Sequence, residues 1–119
     1  MFYTPFNKEW MLKYKEPITE DFRTNDKCMT TRMLSDLAKE NNAYIIGGSM
    51  PEEITGEDRI YNTSLCFNRS GDIVAKHRKL HLFDINIPDK IVSLESGHVK
   101  PGEPQFTIFE TEYCKVRTD

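Results

Sequence analysis

The sequence has little cysteine, no long apolar run and no surplus of positive charge, and each shortage closes off a class of protein. The three cysteines, Cys28, Cys66 and Cys114, are widely spaced. An odd, scattered set does not make a disulfide framework. It suits a reducing compartment, the cytosol or an organelle matrix such as that of mitochondria. No stretch approaches the roughly 18 apolar residues of a membrane span, so no membrane partner is expected. The amino terminus, MFYTPFNKEW, lacks the basic region, apolar stretch and small-residue cleavage site of a signal peptide. A formal charge of −3 gives bulk electrostatics no pull toward nucleic acid or anionic lipid. The chain carries no GxGxxG, CxxC or HExxH motif, so neither a nucleotide cofactor nor a metal centre is expected.

With 38% apolar and 29% charged residues, the 119 residues suit one small globular domain or half of a larger one. Residues 1–24 lack clean periodicity and read as a loop with at most one short helical turn. Met29, Met33 and Leu37, with Leu34 and Ala38 beside them, make an apolar stripe that predicts a helix over about 26–41. Asn25 or Asp26 can cap its start and Asn41–Asn42 can close its end. AYIIGGSM then reads as a buried strand ended by Gly47–Gly48, with Glu52 and Glu53 on a solvated acidic turn. IYNTSLCF alternates, NRSGD is a turn signal, and IVAKHRKLHLF resumes extended character, which together predict a β-hairpin. The segment from DINIPDK to KPGEPQ reads as loop, QFTIFET as a strand, and YCKV as the start of one more. The order of elements predicts an α/β or α+β fold in one partial domain over 1–119.

The basic segment AKHRKLHLFD, Ala75 to Asp84, raises the main chemical question. On a strand, the period of two sets Ile73, Ala75, His77, Lys79 and His81 on one face and Val74, Lys76, Arg78 and Leu80 on the other. Lys76 and Arg78 then point most simply to solvent, whereas Lys79 points with apolar neighbours. An inward ammonium is paired or functional, because burial disfavours its charge, unless its stem only snorkels from a strand end. His77 and His81 would lie on the order of 13 Å apart on a strand and lack metal-ligand partners. Glu95, across a loop from Lys79, is either an ordinary surface acid or the partner that returns to it. Cys114 has no base beside it and reads as a buried structural cysteine rather than a nucleophile.

AYIIGGSMPEE, RIYNTSLCFNRSGDIVAKHRKLHLFDINIPDKIVSLESG and VKPGEPQFTIFETEYCKV resemble, in order and spacing, the nitrilase superfamily of carbon–nitrogen hydrolases. Within it they look most like the omega-amidase branch, over about Leu34 to Val116. The resemblance implies a four-layer αββα sandwich longer than this chain, here truncated at both ends. It also implies a Glu–Lys–Cys triad that cleaves amides through a thioester. Lys79 matches the triad lysine, which helps hold the oxyanion, and Glu95 matches a second glutamate that orients lysine and substrate. MFYTPFN resembles the segment that follows the catalytic glutamate, which would stand before Met1. The nucleophile would fall beyond Asp119, and Cys114 matches a non-catalytic cysteine. The implied substrates are small dicarboxylate monoamides such as α-ketoglutaramate, turned over without metal or organic cofactor by a homodimer or larger assembly. A chain with one triad residue of three is expected to be inactive alone. The alternative is a non-catalytic short product that binds or regulates a full-length subunit.

Overall fold

The frame of the computed structural model, which describes residues 3–5 and 7–118, is an antiparallel sheet of three strands. Met1, Phe2 and Phe6 of the MFYTPFN segment, and Asp119, lie outside the described residues. The strands β1 (Ile45–Glu53), β2 (Ile60–Phe67) and β3 (Ile73–Arg78) stand in the order β1-β2-β3. Helix α2 (Met29–Glu40) covers one face, where Leu34 and Ala38 pack on Met50, Leu65 and Phe67. The other face takes Phe109 from a second hairpin, β6 (Thr107–Glu110) with β7 (Lys115–Thr118), against Cys66 and Ala75. Strand β2 is therefore covered on both sides, which its β-branched and aromatic residues suit. Each fully buried side chain such as Leu65 or Phe67 contributes roughly 1.5–3 kcal/mol. A third cluster joins Met11, Ile60 and Val99, all fully buried. The predicted mixed helix-and-strand class and the β2–β3 hairpin both stand.

The short helical turn expected within residues 1–24 is α1 (Lys8–Lys13), with the Asn7 side chain accepting from Glu9 N at 2.8 Å. Several local expectations are corrected. Helix α2 starts at Met29, not near 26. Asn25 is spent on the turn before it, its side-chain oxygen accepting from Lys27 N at 3.1 Å. The cap comes from afar: the Glu16 carboxylate accepts from Thr30 N at 2.8 Å and also from the Thr30 hydroxyl. Met29, Met33 and Leu37 face outward, and the buried face is Thr30, Thr31, Leu34, Ser35 and Ala38. Small polar residues can be buried here because each has a partner; Ser35 donates to Gly71 O at 2.6 Å.

Gly47–Gly48 does not end β1 but bulges it. The register with β2 shifts between Ile46 and Ser49, and Gly48 sits at φ 65°, a region costly to other residues. A Cβ on Gly47 would lie 2.5 Å from Leu34 Cδ1, so its absence lets α2 close on the sheet. The strand then continues through Pro51, Glu52 and Glu53, residues expected on a solvated turn. Lastly, the supposed loop after Phe83 holds a hairpin of β4 (Asp84–Ile87) and β5 (Ile91–Leu94), turning at Asp89 with φ 58°.

Candidate active site

Lys79 lies one residue past β3, and its backbone is held on both sides. Its N–H donates to Asn62 O at 2.8 Å, and its carbonyl accepts from Gly102 N at 3.0 Å. Gly102 must be glycine at that spot, because a Cβ there would come within 2.3 Å of Arg78 O. Alternation thus continues past the strand end. Lys79 shares the sheet face of Ala75 and His77, away from α2.

The side chain of Lys79 meets Glu95, with Nζ 2.7 Å from Oε2. Glu95 opens a single 3-10 turn (Glu95–Gly97) after β5, and 1% of its side chain is exposed. The same Oε2 accepts from Phe83 N, which ties the carboxylate to the loop between β3 and β4. Its Oε1 is buried and finds no donor among the described residues. The sequence left open whether Glu95 was a surface acid or the partner of Lys79; the geometry makes it the partner. His98, at the end of that turn, was not anticipated. Burial drives its pKa below the usual 6.5; the Glu95 charge opposes this and Lys8 adds to it.

Two adjoining clefts share His77 and Lys79 in their walls. One, of about 340 Å³, is completed by Leu80, His81, Gln105, Phe106 and Arg117. The other, of about 270 Å³, is completed by Ser49, Asn62 and Ser64. His77 Nδ1 stands 3.0 Å from Thr107 Oγ1, so β6 braces it, while His81 is exposed.

None of the three cysteines lines these clefts. Cys28 is fully buried, its thiol 3.3 Å from Pro17 O. Cys66 is buried under the β6–β7 hairpin, and burial pushes its thiol up in pKa, away from nucleophilic character. Cys114, expected to be buried, is instead exposed, because it sits in the tight turn between β6 and β7 where Cys114 N donates to Thr111 Oγ1 at 3.0 Å.

On the α2 side of the sheet, Lys76 and Arg78 are not a solvated row. Both reach Glu52, which is 3% exposed. Arg78 donates from Nε to Oε2 at 2.8 Å and from Nη2 to Oε1 at 2.6 Å. Thr63 Oγ1 donates to Oε2 at 2.6 Å, and Lys76 Nζ stands 3.5 Å from Oε1. Burial alone would raise the Glu52 pKa. The hydrogen bonds from Arg78 and Thr63, with the charges of Lys76 and Arg78, overcome it and hold the carboxyl below 4.5. The signal that could have found Glu52 was the period of two, which aligns it with Met50 across Pro51.

A carbon-nitrogen hydrolase family profile matches residues 2–118. Omega-amidase NIT2 of Xenopus tropicalis is 43% identical over 115 residues, covering 97% of this chain and 38% of that protein. The human omega-amidase NIT2 is 41% identical over the same shares. Among solved structures, Saccharomyces cerevisiae Nit3, described as a member of branch 10 of the nitrilase superfamily, superposes with a TM-score of 0.74. It is 34% identical, over 96% of this chain and 36% of that one. The Caenorhabditis elegans NitFhit protein superposes at 0.64 with 25% identity, over 85% of this chain and 23% of that one. The chain thus spans well under half the length of these relatives. With the mixed helix-and-strand fold and its spacing of motifs matched nearly end to end, the chain belongs to the carbon–nitrogen hydrolase (nitrilase) superfamily, in its omega-amidase-like branch.

Proposed function

We propose that this chain supplies the lysine side of the catalytic site of an omega-amidase-type hydrolase acting on small dicarboxylate monoamides such as α-ketoglutaramate. The observation that carries the reading is the Lys79 Nζ–Glu95 Oε2 contact of 2.7 Å at the edge of an open cleft. An ammonium fixed by a buried carboxylate is suited to donate to a carbonyl oxygen as negative charge develops on it. Glu95 holds that ammonium in place and aims it. Nucleophile and general base are roles for residues other than the three cysteines and the Lys79–Glu95 pair. In the assembled enzyme the reaction is amide cleavage with release of ammonia, in a homodimer or larger oligomer.

The test is a chimaera in which this chain replaces the matching 115-residue segment of the Xenopus tropicalis omega-amidase. It should release ammonia from α-ketoglutaramate, and Lys79→Met should lower kcat/KM by about 1,000-fold. A folded chimaera whose activity survives Lys79→Met would sink the reading.

A second reading, a non-catalytic product that binds or regulates a full-length subunit, is favoured by one observation. Large apolar side chains stand in water, among them Val92 at 65%, Phe106 at 74% and Tyr113 at 76% exposure. Co-expression with a full-length omega-amidase decides it. Stoichiometric co-elution supports this reading, and separate elution removes it.

A further inference from the structure

The sheet face that carries Lys79 also carries a row of polar side chains that the amidase reading leaves unused. Ser49 of β1 pairs with Ser64 of β2, and Ser64 pairs with His77 of β3. Asn62 lies two residues before Ser64, so it projects to the same face. Its carbonyl receives the backbone N–H of Lys79 at 2.8 Å, which sets the two residues side by side. All five line the cleft of about 270 Å³.

Asn62 stands out in this row. The residue is 6% exposed, yet its side-chain Oδ1 is buried with no donor among the described residues. Leaving a buried carbonyl oxygen without a donor forfeits its hydration with nothing in exchange, a cost to the fold. A position in a cleft wall that carries this cost is suited to receive an N–H from a ligand. A primary carboxamide offers an N–H for Asn62 Oδ1, and a carbonyl oxygen to which the Glu95-bound ammonium of Lys79 can also donate.

We propose that Asn62 is the residue that recognises the amide nitrogen of the substrate. Its Oδ1 accepts one N–H of a primary carboxamide while Lys79 Nζ donates to the carbonyl oxygen of the same group. The assignment rests on the amidase reading above and goes beyond it. It makes Asn62 the source of discrimination between primary amides and the corresponding esters, which have no N–H to give.

The test uses the full 119-residue chain, isotopically labelled, titrated by NMR with succinamate and with monomethyl succinate. These ligands share a carboxylate end and differ in amide against ester. The chain should prefer succinamate by about 10-fold, the worth of one satisfied hydrogen bond. Asn62→Leu should reduce the preference to about 2-fold or less by weakening succinamate alone. Asn62→Asp, which keeps an acceptor in place, should retain it. Lys79→Met should weaken both ligands alike. Equal binding of the two ligands by the unaltered chain, binding of neither, or a preference that survives Asn62→Leu would each overturn the role of Asn62. Unchanged binding of both ligands by Lys79→Met would instead fault the amidase reading, whatever Asn62 does. Should Asn62→Leu lose the dispersed spectrum of a folded chain, kcat/KM of the chimaera on the two ligands gives the same comparison through Asn62→Asp against Asn62→Ala.

Discussion

Glu52 and Glu95 are both buried carboxylates paired to a basic residue near the end of β3, on opposite faces of the sheet. Around Glu52 every need is met: Arg78 holds both oxygens, Thr63 adds a hydrogen bond, and Lys76 stands close by. Around Glu95 one oxygen is shared between Lys79 and Phe83 N, and the other has no donor among the described residues. A saturated carboxylate is an anchor. An unsaturated one beside an open cleft has capacity left for chemistry. Two adjacent basic residues, Arg78 and Lys79, are thereby divided between holding the strand and facing an open cleft.

The division can be broken by exchanging the losses. Glu52→Leu strands the Arg78 guanidinium and should cost about 3 kcal/mol, the low end for a broken buried pair because Arg78 keeps a third of its side chain in water. Urea unfolding reads that cost. Glu95→Gln should cost less than about 1 kcal/mol by the same method, since a hydrogen-bonding oxygen remains. In the chimaera, however, it should lower kcat/KM by about 100-fold. If Glu52→Leu harmed only activity and Glu95→Gln only stability, the contrast would be wrong. Gly102→Ala tests the link between the two sites. Its Cβ would meet Arg78 O, and the shift needed to relieve it should cost about 1–3 kcal/mol and disturb Lys79 with it.

The smallest effects lie in pH. The Glu52 pKa is lower folded than unfolded, so its contribution is whole above about pH 4.5 and lost as pH falls through the folded value. Glu52→Gln should flatten that acid slope in denaturation curves. His98 is also lowered, chiefly by burial, so the folded chain binds fewer protons than the unfolded one just below pH 6.5. Stability should therefore slip as pH falls from 6.5, and His98→Gln should remove the slip.

The sheet face of Lys79 was legible from alternation, because period-two geometry runs past the last ladder hydrogen bond of β3, but alternation left open whether its stem only snorkels. Its partner was not. Glu95 follows β5 in a 3-10 turn, and no local pattern announces which distant acid a loop will return. Only the resemblance to the hydrolase family singled it out. Glu52 was misread because Pro and two acids suggest a turn, whereas the ion cluster that buries them forms only once β2 and β3 are in place. The outward stripe of α2 failed for a similar reason. Thr30 and Ser35 are polar in composition but satisfied by tertiary partners, so the buried face is shifted around the helix. The β4–β5 hairpin was missed because its strands are mostly exposed, leaving no alternation between inside and outside to read.

The reach of Glu16 makes one end of α2 depend on β1. Its carboxylate closes the start of α2, while its backbone exchanges hydrogen bonds with β1 at Pro51 O and Glu53 N, 3.0 and 2.8 Å. One residue therefore fastens helix to sheet edge, and neither fastening is local in the chain. The first turn of α2 has no side-chain cap from its own N-cap residue, Cys28. Without β1 to hold Glu16 in place, that turn would lose its acceptor and fray as the end of an isolated helix does. The first turn of the helix thus depends on a strand that follows it in sequence, and the latch between them is a single carboxylate.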